Sequence, residues 1–81
     1  MAPVDYYEAY LYGHRCGEED QDNPCPEGAY FCAAPAGADE GGWHALQMLG
    51  YDDGLVSDTK MDKAAVISYL KRICPHVEVS A

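Results

Sequence analysis

Residues 4–13, VDYYEAYLYG, decide the fold, because two different elements fit them. As a strand, the segment puts Val4, Tyr6, Tyr10 and Tyr12 on one face, interrupted by Glu8, with Asp5, Tyr7, Ala9 and Leu11 on the other. As a helix, it groups Tyr6, Tyr7, Tyr10 and Leu11 on one side. Val and Tyr favour pleated surfaces, and Gly13 leads into a stretch rich in chain breakers, so the strand is the expected form. Pro3 suits either start.

Toward the C-terminus, residues 14–28 (HRCGEEDQDNPCPEG) crowd Glu18, Glu19, Asp20 and Asp22 between Cys16 and Cys25, and Asn-Pro and Pro-Glu-Gly form turns. This reads as a loop, solvated and extended by its own repulsion unless something basic meets it. Residues 29–34 (AYFCAA) then supply a second strand, making a hairpin with a long acidic tip. Residues 35–42 are small and acidic and read as a connector. In 43–50 (WHALQMLG), Trp43, Leu46 and Leu49 share a helical face, Asp39 and Glu40 sit at the positive helix end, and Gly50 is placed as a C-cap. The following YDDG reads as a turn.

Residues 59–75 (TKMDKAAVISYLKRICP) carry the clearest helix signal, with Val66, Ile67, Leu70, Ile73 and Cys74 on one side and Lys60, Ser68, Lys71 and Arg72 on the other. Thr59 and Asp62 have capping-box spacing, Lys71 and Arg72 suit the negative helix end, and Pro75 stops the ladder. Burying those five side chains contributes roughly 1.5–3 kcal/mol each before entropy is counted, so this helix anchors the core. After Pro75, alternation of Val77 and Val79 with Glu78 predicts a short third strand over 76–80. The expected order is β-β-α-α-β: an α+β fold with two helices on one face of a small, mostly antiparallel three-stranded sheet, and a single domain over residues 1–81.

Eighty-one residues bury only about 60–65% of their unfolded surface, so the core is thin, although a 48% hydrophobic content argues for a folded globule. The formal net charge of −9 is unevenly spread. Residues 1–59 hold twelve of the fourteen acids and one base, Arg15; residues 60–81 hold Lys60, Lys63, Lys71 and Arg72 against Asp62 and Glu78. Such a balance excludes nucleic acid as the main ligand, since phosphate binding needs clustered Lys and Arg, and suits a basic protein surface instead. The plainer alternative is that the charge keeps a small protein in solution. The opening MAPVDYYEAY has no basic and apolar leader pattern and no apolar run approaches a membrane span, which predicts a cytoplasmic protein away from membranes.

Cys16, Cys25, Cys32 and Cys74 accompany His14, His44 and His76. His14-Arg15-Cys16 and Cys74-Pro75-His76 share a spacing, which makes His14, Cys16, Cys74 and His76 the candidate metal ligands of an alternative reading as a small metal-binding domain. The tight Cys-x2–4-Cys knuckles of structural zinc sites are absent, and buried Cys32 and Cys74 as small hydrophobes fit the composition better. A Cys16–Cys25 disulfide would close the acidic loop in an oxidising setting. Asp20 and Asp22 begin like a calcium loop, yet Pro24 occupies the next ligand position. No nucleophile elbow, phosphate-binding glycine loop or His-Glu-x2-His segment is present, so neither catalysis nor a cofactor is expected.

Tyr6, Tyr7, Tyr10 and Tyr12 cannot all be buried by one strand, and exposed Tyr beside carboxylates has the composition of a protein-binding surface. The equal alternative is that they cover the sheet. Small size, acidity, a retained Met1 and the lack of a catalytic motif, with Glu18, Glu19, Asp20, Asp22, Asp39, Glu40, Asp52 and Asp53 as the acids concerned, resemble the small inhibitors of phages, anti-CRISPR proteins above all. The resemblance covers the character of the chain and no motif. It implies an acidic surface that occupies a Lys/Arg-lined nucleic-acid site on a Cas effector complex. An immunity or antitoxin protein opposing a basic nuclease would share these electrostatics.

Overall fold

A computed structural model describes residues 4–22 and 32–77. Within them the chain forms three helices, α1 (Tyr7–Glu19), α2 (Glu40–Val56) and α3 (Lys63–Ile73). No strand occurs among the described residues, so the expected α+β architecture is replaced by a helical one. The proposed second strand lies partly outside the described residues, and its remainder, 32–34, is irregular. Of the third, only His76 and Val77 are described, and neither is in a strand.

The first expected strand is helical because the helical grouping lets Tyr6 and Tyr10 enter a common core with Ala9. Tertiary packing overrides the pleated preference of tyrosine. The helix also runs on past Gly13, so Glu18 and Glu19, expected in a loop, form its last turn.

In α2, too, the expected boundary fails. Gly50 lies inside the helix, and Tyr51 to Gly54, expected as a turn, continue it to Val56. Asp39 is the N-cap, its Oδ2 accepting from the Gly42 N–H at 2.8 Å.

These two helices run parallel. Gly13 abuts the Gln47 backbone and Gly17 that of Tyr51, while Gly50 abuts the Tyr10 backbone and Gly54 that of His14. Each helix thus presents a Gly-x3-Gly pair to the other's main chain. A Cβ on Gly13 would fall 2.9 Å from the Gln47 Cα, and one on Gly50 2.8 Å from the His14 nitrogen, closer than side-chain atoms approach. Only hydrogen fits there, which explains four glycines at positions where each costs about 1 kcal/mol of helix propensity. Parallel neighbours cannot be joined by a short turn, and the connection takes the twenty residues 20–39.

By contrast, α3 forms largely where its periodicity places it. Asp62 is the N-cap, accepting from the Ala65 N–H at 2.8 Å, in place of the expected Thr59 capping box. Val66, Ile67 and Leu70 face Tyr6, Ala9, Tyr10, Trp43 and Leu46 in one core, whereas Ile73 is 39% exposed. Tyr6 and Trp43 meet at a tilt, ring centroids 6.2 Å apart.

Residues 57–62 strap α2 to α3 across α1, which holds them through buried polar groups. Tyr7 donates to the Met61 carbonyl at 2.7 Å, Tyr10 Oη accepts from the Met61 N–H at 2.9 Å, and His14 Nε2 lies 3.1 Å from the Thr59 carbonyl.

Candidate partner-binding surface

Because α1 and α2 are parallel, their C-termini lie at the same end of the molecule. Tyr51 donates to Asp20 Oδ2 at 3.0 Å, and Gln21 Nε2 donates to the Gly54 carbonyl at 2.8 Å and to Asp58 Oδ1 at 3.1 Å, tying the two ends together. Both macrodipoles therefore point their negative ends the same way, and neither helix carries a base in its last turn. Around these ends stand Glu18, Glu19, Asp20, Asp22, Asp52, Asp53 and Asp58. Unrelieved, such an arrangement opposes folding. It also concentrates a negative field at one pole.

The seven carboxylates are not equivalent. Asp53 Oδ2 accepts from Tyr10 at 2.8 Å, and Asp20 is taken by Tyr51. Glu18 Oε1 lies 2.7 Å from His14 Nδ1 and 3.3 Å from Lys60 Nζ. These three hold the fold together. Glu19, Asp22 and Asp52 are exposed and face outward, as does Asp58 beside Gln21.

Asp39 and Glu40, counted with the same surface on sequence grounds, lie at the other end of α2. The Gly42 N–H, with a smaller contribution from His76, holds the Asp39 carboxyl below its usual range. The expected single acidic surface is thus divided.

Nor do the tyrosines form an exposed contact strip. Tyr6 is 5% exposed, Tyr10 fully buried, and Tyr7 half-buried and stacked on Tyr10 at 5.9 Å. The Tyr6 hydroxyl accepts from the Asp39 N–H at 2.8 Å. Burial, opposed by the hydrogen bond from Met61 and reinforced by Asp53, pushes the Tyr10 phenol up to about 12. Each ring covers core while its hydroxyl satisfies a polar group at the rim.

Beside the pole, a cleft of about 460 Å³ is lined by Glu8, Leu11, Tyr12, Arg15, Glu18 and Lys60, with the Arg15 guanidinium 5.6 Å from the Tyr12 ring centroid. The sequence reading counts Tyr12 among the tyrosines that cannot all be buried, but it misses Arg15 and Asp58 as surface candidates. It also missed the paired Gly-x3-Gly spacings that place the two helix ends together, and these were visible as Gly13/Gly17 and Gly50/Gly54.

The four candidate metal ligands are not brought together. His14 packs against Gly54 near the acidic pole, whereas His76 Nε2 lies 3.1 Å from Asp39 Oδ1 at the opposite end of α2, with Cys74 close to Gly42. Among the described residues, no group of three or more His, Cys, Asp or Glu could hold a metal ion. Cys16, Cys32 and Cys74 are free thiols, and burial, aided by Glu19, pushes the Cys16 thiol up. The expected disulfide involves Cys25, outside the described residues, as does the calcium-loop position Pro24. Among the described residues, no helix is long and apolar enough to cross a membrane.

No protein-family model matches the chain, and comparison with curated proteins and with solved structures finds no match either.

Proposed function

We propose that the protein is a non-enzymatic interaction protein whose acidic pole docks on a basic surface of a nucleic-acid-handling complex and so excludes the nucleic acid, in the manner of an anti-CRISPR inhibitor. The observation that carries this reading is the convergence of two helix C-termini with seven carboxylates and no last-turn base. A cluster of this kind costs folding energy, and a partner of opposite charge recovers it. Glu19, Asp22 and Asp52 supply the outward charge, and fixed helix ends supply field that does not reorganise on binding. Carboxylates standing in for phosphates need no chemistry to compete for a Lys/Arg-lined site. An immunity protein against a basic nuclease would use the same surface, and the identity of the partner separates the two.

The test is affinity capture from a bacterial lysate at low and high salt, comparing the natural chain with a Glu19→Gln, Asp22→Asn, Asp52→Asn variant. These exposed positions leave the fold-holding carboxylates intact. The expected result is a basic nucleic-acid-binding complex retained at low salt, weakened at high salt and lost to the variant. Equal capture by the variant would remove charge mimicry from consideration.

A further inference from the structure

One end of the molecule carries an apolar knob among acids, and α3 carries an apolar groove between bases. Val56 closes α2 and is 83% exposed, the more exposed of two large aliphatic side chains at the surface of the described residues, the other being Ile73 at 39%. Asp52 lies one turn before it on the helix surface, and Asp58 lies two residues beyond. On the exposed side of α3, Lys63, Ala64, Ile67, Ser68 and Lys71 line a groove of about 420 Å³. Lys63, Ile67 and Lys71 follow one another at four-residue spacing, so the groove has an apolar floor and a cation at each end. Lys63 is 58% exposed and only loosely held, its Nζ 3.8 Å from Asp5 Oδ1.

We propose that the occupant of this groove is a second copy of the chain, and that two copies associate about a two-fold axis, Val56 of each entering the α3 groove of the other. The pairing is complementary in both terms: valine against the Ala64/Ile67 floor, and Asp52 and Asp58 against Lys63 and Lys71. Reciprocal use engages both features of each copy and doubles the buried area, which a single knob of this size needs to approach the roughly 1,000 Å² of a specific interface. It also closes at two copies and leaves neither feature unpaired. The net charge of −9 on each copy opposes approach at long range. At about 0.15 M salt that repulsion is screened beyond some 8 Å while the contact pairs survive. This inference does not rest on the charge-mimicry reading, although Asp52 and Asp58 stand in both surfaces, so a copy paired in this way covers part of the acidic pole.

Light scattering on the eluting full chain at about 0.15 M salt tests it over concentrations up to about 1 mM, the range in which a weak association is detected. The expected mass rises from 8.8 kDa toward twice that value and no further. Val56→Asp, and separately Lys63→Glu with Lys71→Glu, should each weaken association at least about tenfold, the cost of one lost contact of about 1.4 kcal/mol. Their far-UV circular dichroism should remain that of the natural chain. A copy carrying Lys63→Glu and Lys71→Glu, mixed with one carrying Asp52→Lys and Asp58→Lys, should associate although neither does so alone. A mass of 8.8 kDa throughout, a mass climbing beyond two copies, or association undiminished in the variants overturns the proposal.

Discussion

Between α1 and α2 the chain brings main chain against main chain, whereas under α3 it places a layer of side chains. At the first contact, Gly13, Gly17, Gly50 and Gly54 remove every atom that would hold the helices apart, and the glycine Cα–H bonds aim at carbonyl oxygens of the partner. Such contacts contribute about 0.5–1 kcal/mol each, comparable with the helix propensity that each glycine forfeits. At the second, Val66, Ile67 and Leu70 reach Tyr6, Tyr10, Trp43 and Leu46 by ordinary apolar burial. The difference teaches that tolerance to change depends on what occupies the gap. Side chains can shift when one shrinks; two backbones in contact have nothing to shift.

Breaking the first contact gives the largest expected effect. Gly50→Ala puts a methyl group against the Tyr10 carbonyl and the His14 nitrogen, both main-chain groups. The helices must separate, and a loss of more than about 4 kcal/mol, a large share of the roughly 5–15 kcal/mol available to a small domain, is expected as a missing or strongly lowered thermal transition. Gly41→Ala in the same helix meets only ordinary contact with Asp39 and serves as the control, melting no lower than the natural chain. A Gly50→Ala protein with the natural melting curve would show that α1 and α2 are not in backbone contact.

Truncating the second contact should cost less. Leu70 is fully buried, and Leu70→Ala is expected to lose about 2–4 kcal/mol in urea unfolding, since neighbouring side chains relax into part of the cavity. A loss equal to that of Gly50→Ala would erase the distinction between the two interfaces.

The smallest effect concerns the rim where the two interfaces meet. Tyr10 titrates at about 12 in the folded protein, against about 10 when unfolded, so its neutral form is favoured by folding. That contribution, about 2–3 kcal/mol, is complete below pH 10 and is lost as pH rises from 10 through 12. Tyr10→Phe should therefore be about 1–2 kcal/mol less stable at neutral pH, through two lost hydrogen bonds, yet decline less steeply than the natural chain above pH 10. Parallel alkaline decline of the two proteins would show that the Tyr10 phenol is not the group responsible.

The same contrast explains what could be read from the residues. A side-chain interface leaves a stripe of Val66, Ile67 and Leu70 on a polar helix, and period analysis finds it. A backbone interface leaves Ala9, Gly13, His14 and Gly17, which carry no hydropathic signature, so the tyrosines beside them suggested a strand. Gly50 was as good a helix end as a helix contact by local rules, and only its pairing with Gly54, matched by Gly13 and Gly17, distinguishes the two. The charge asymmetry was legible, but the division of labour within it was not. Asp20, Asp53 and Glu18 look like Glu19, Asp22 and Asp52 until Tyr51, Tyr10 and His14 are placed beside them.

The parallel pairing has a consequence for the order in which the chain can be assembled. The glycines of α1 meet Gln47 and Tyr51, 34 residues later, and Tyr10 and His14 meet the glycines of α2, 40 residues later, so the closest contacts of α1 do not exist until α2 has been synthesised. At about 5–20 residues per second, α1 waits roughly two to eight seconds on a translating ribosome, a thirteen-residue helix former weakened by two glycines and without a template. During that interval Tyr6 and Tyr10, buried in the folded chain, lack the Trp43, Leu46 and Leu70 side chains that cover them. The acids that end α1 give the waiting segment a charge that opposes contact between neighbouring nascent chains.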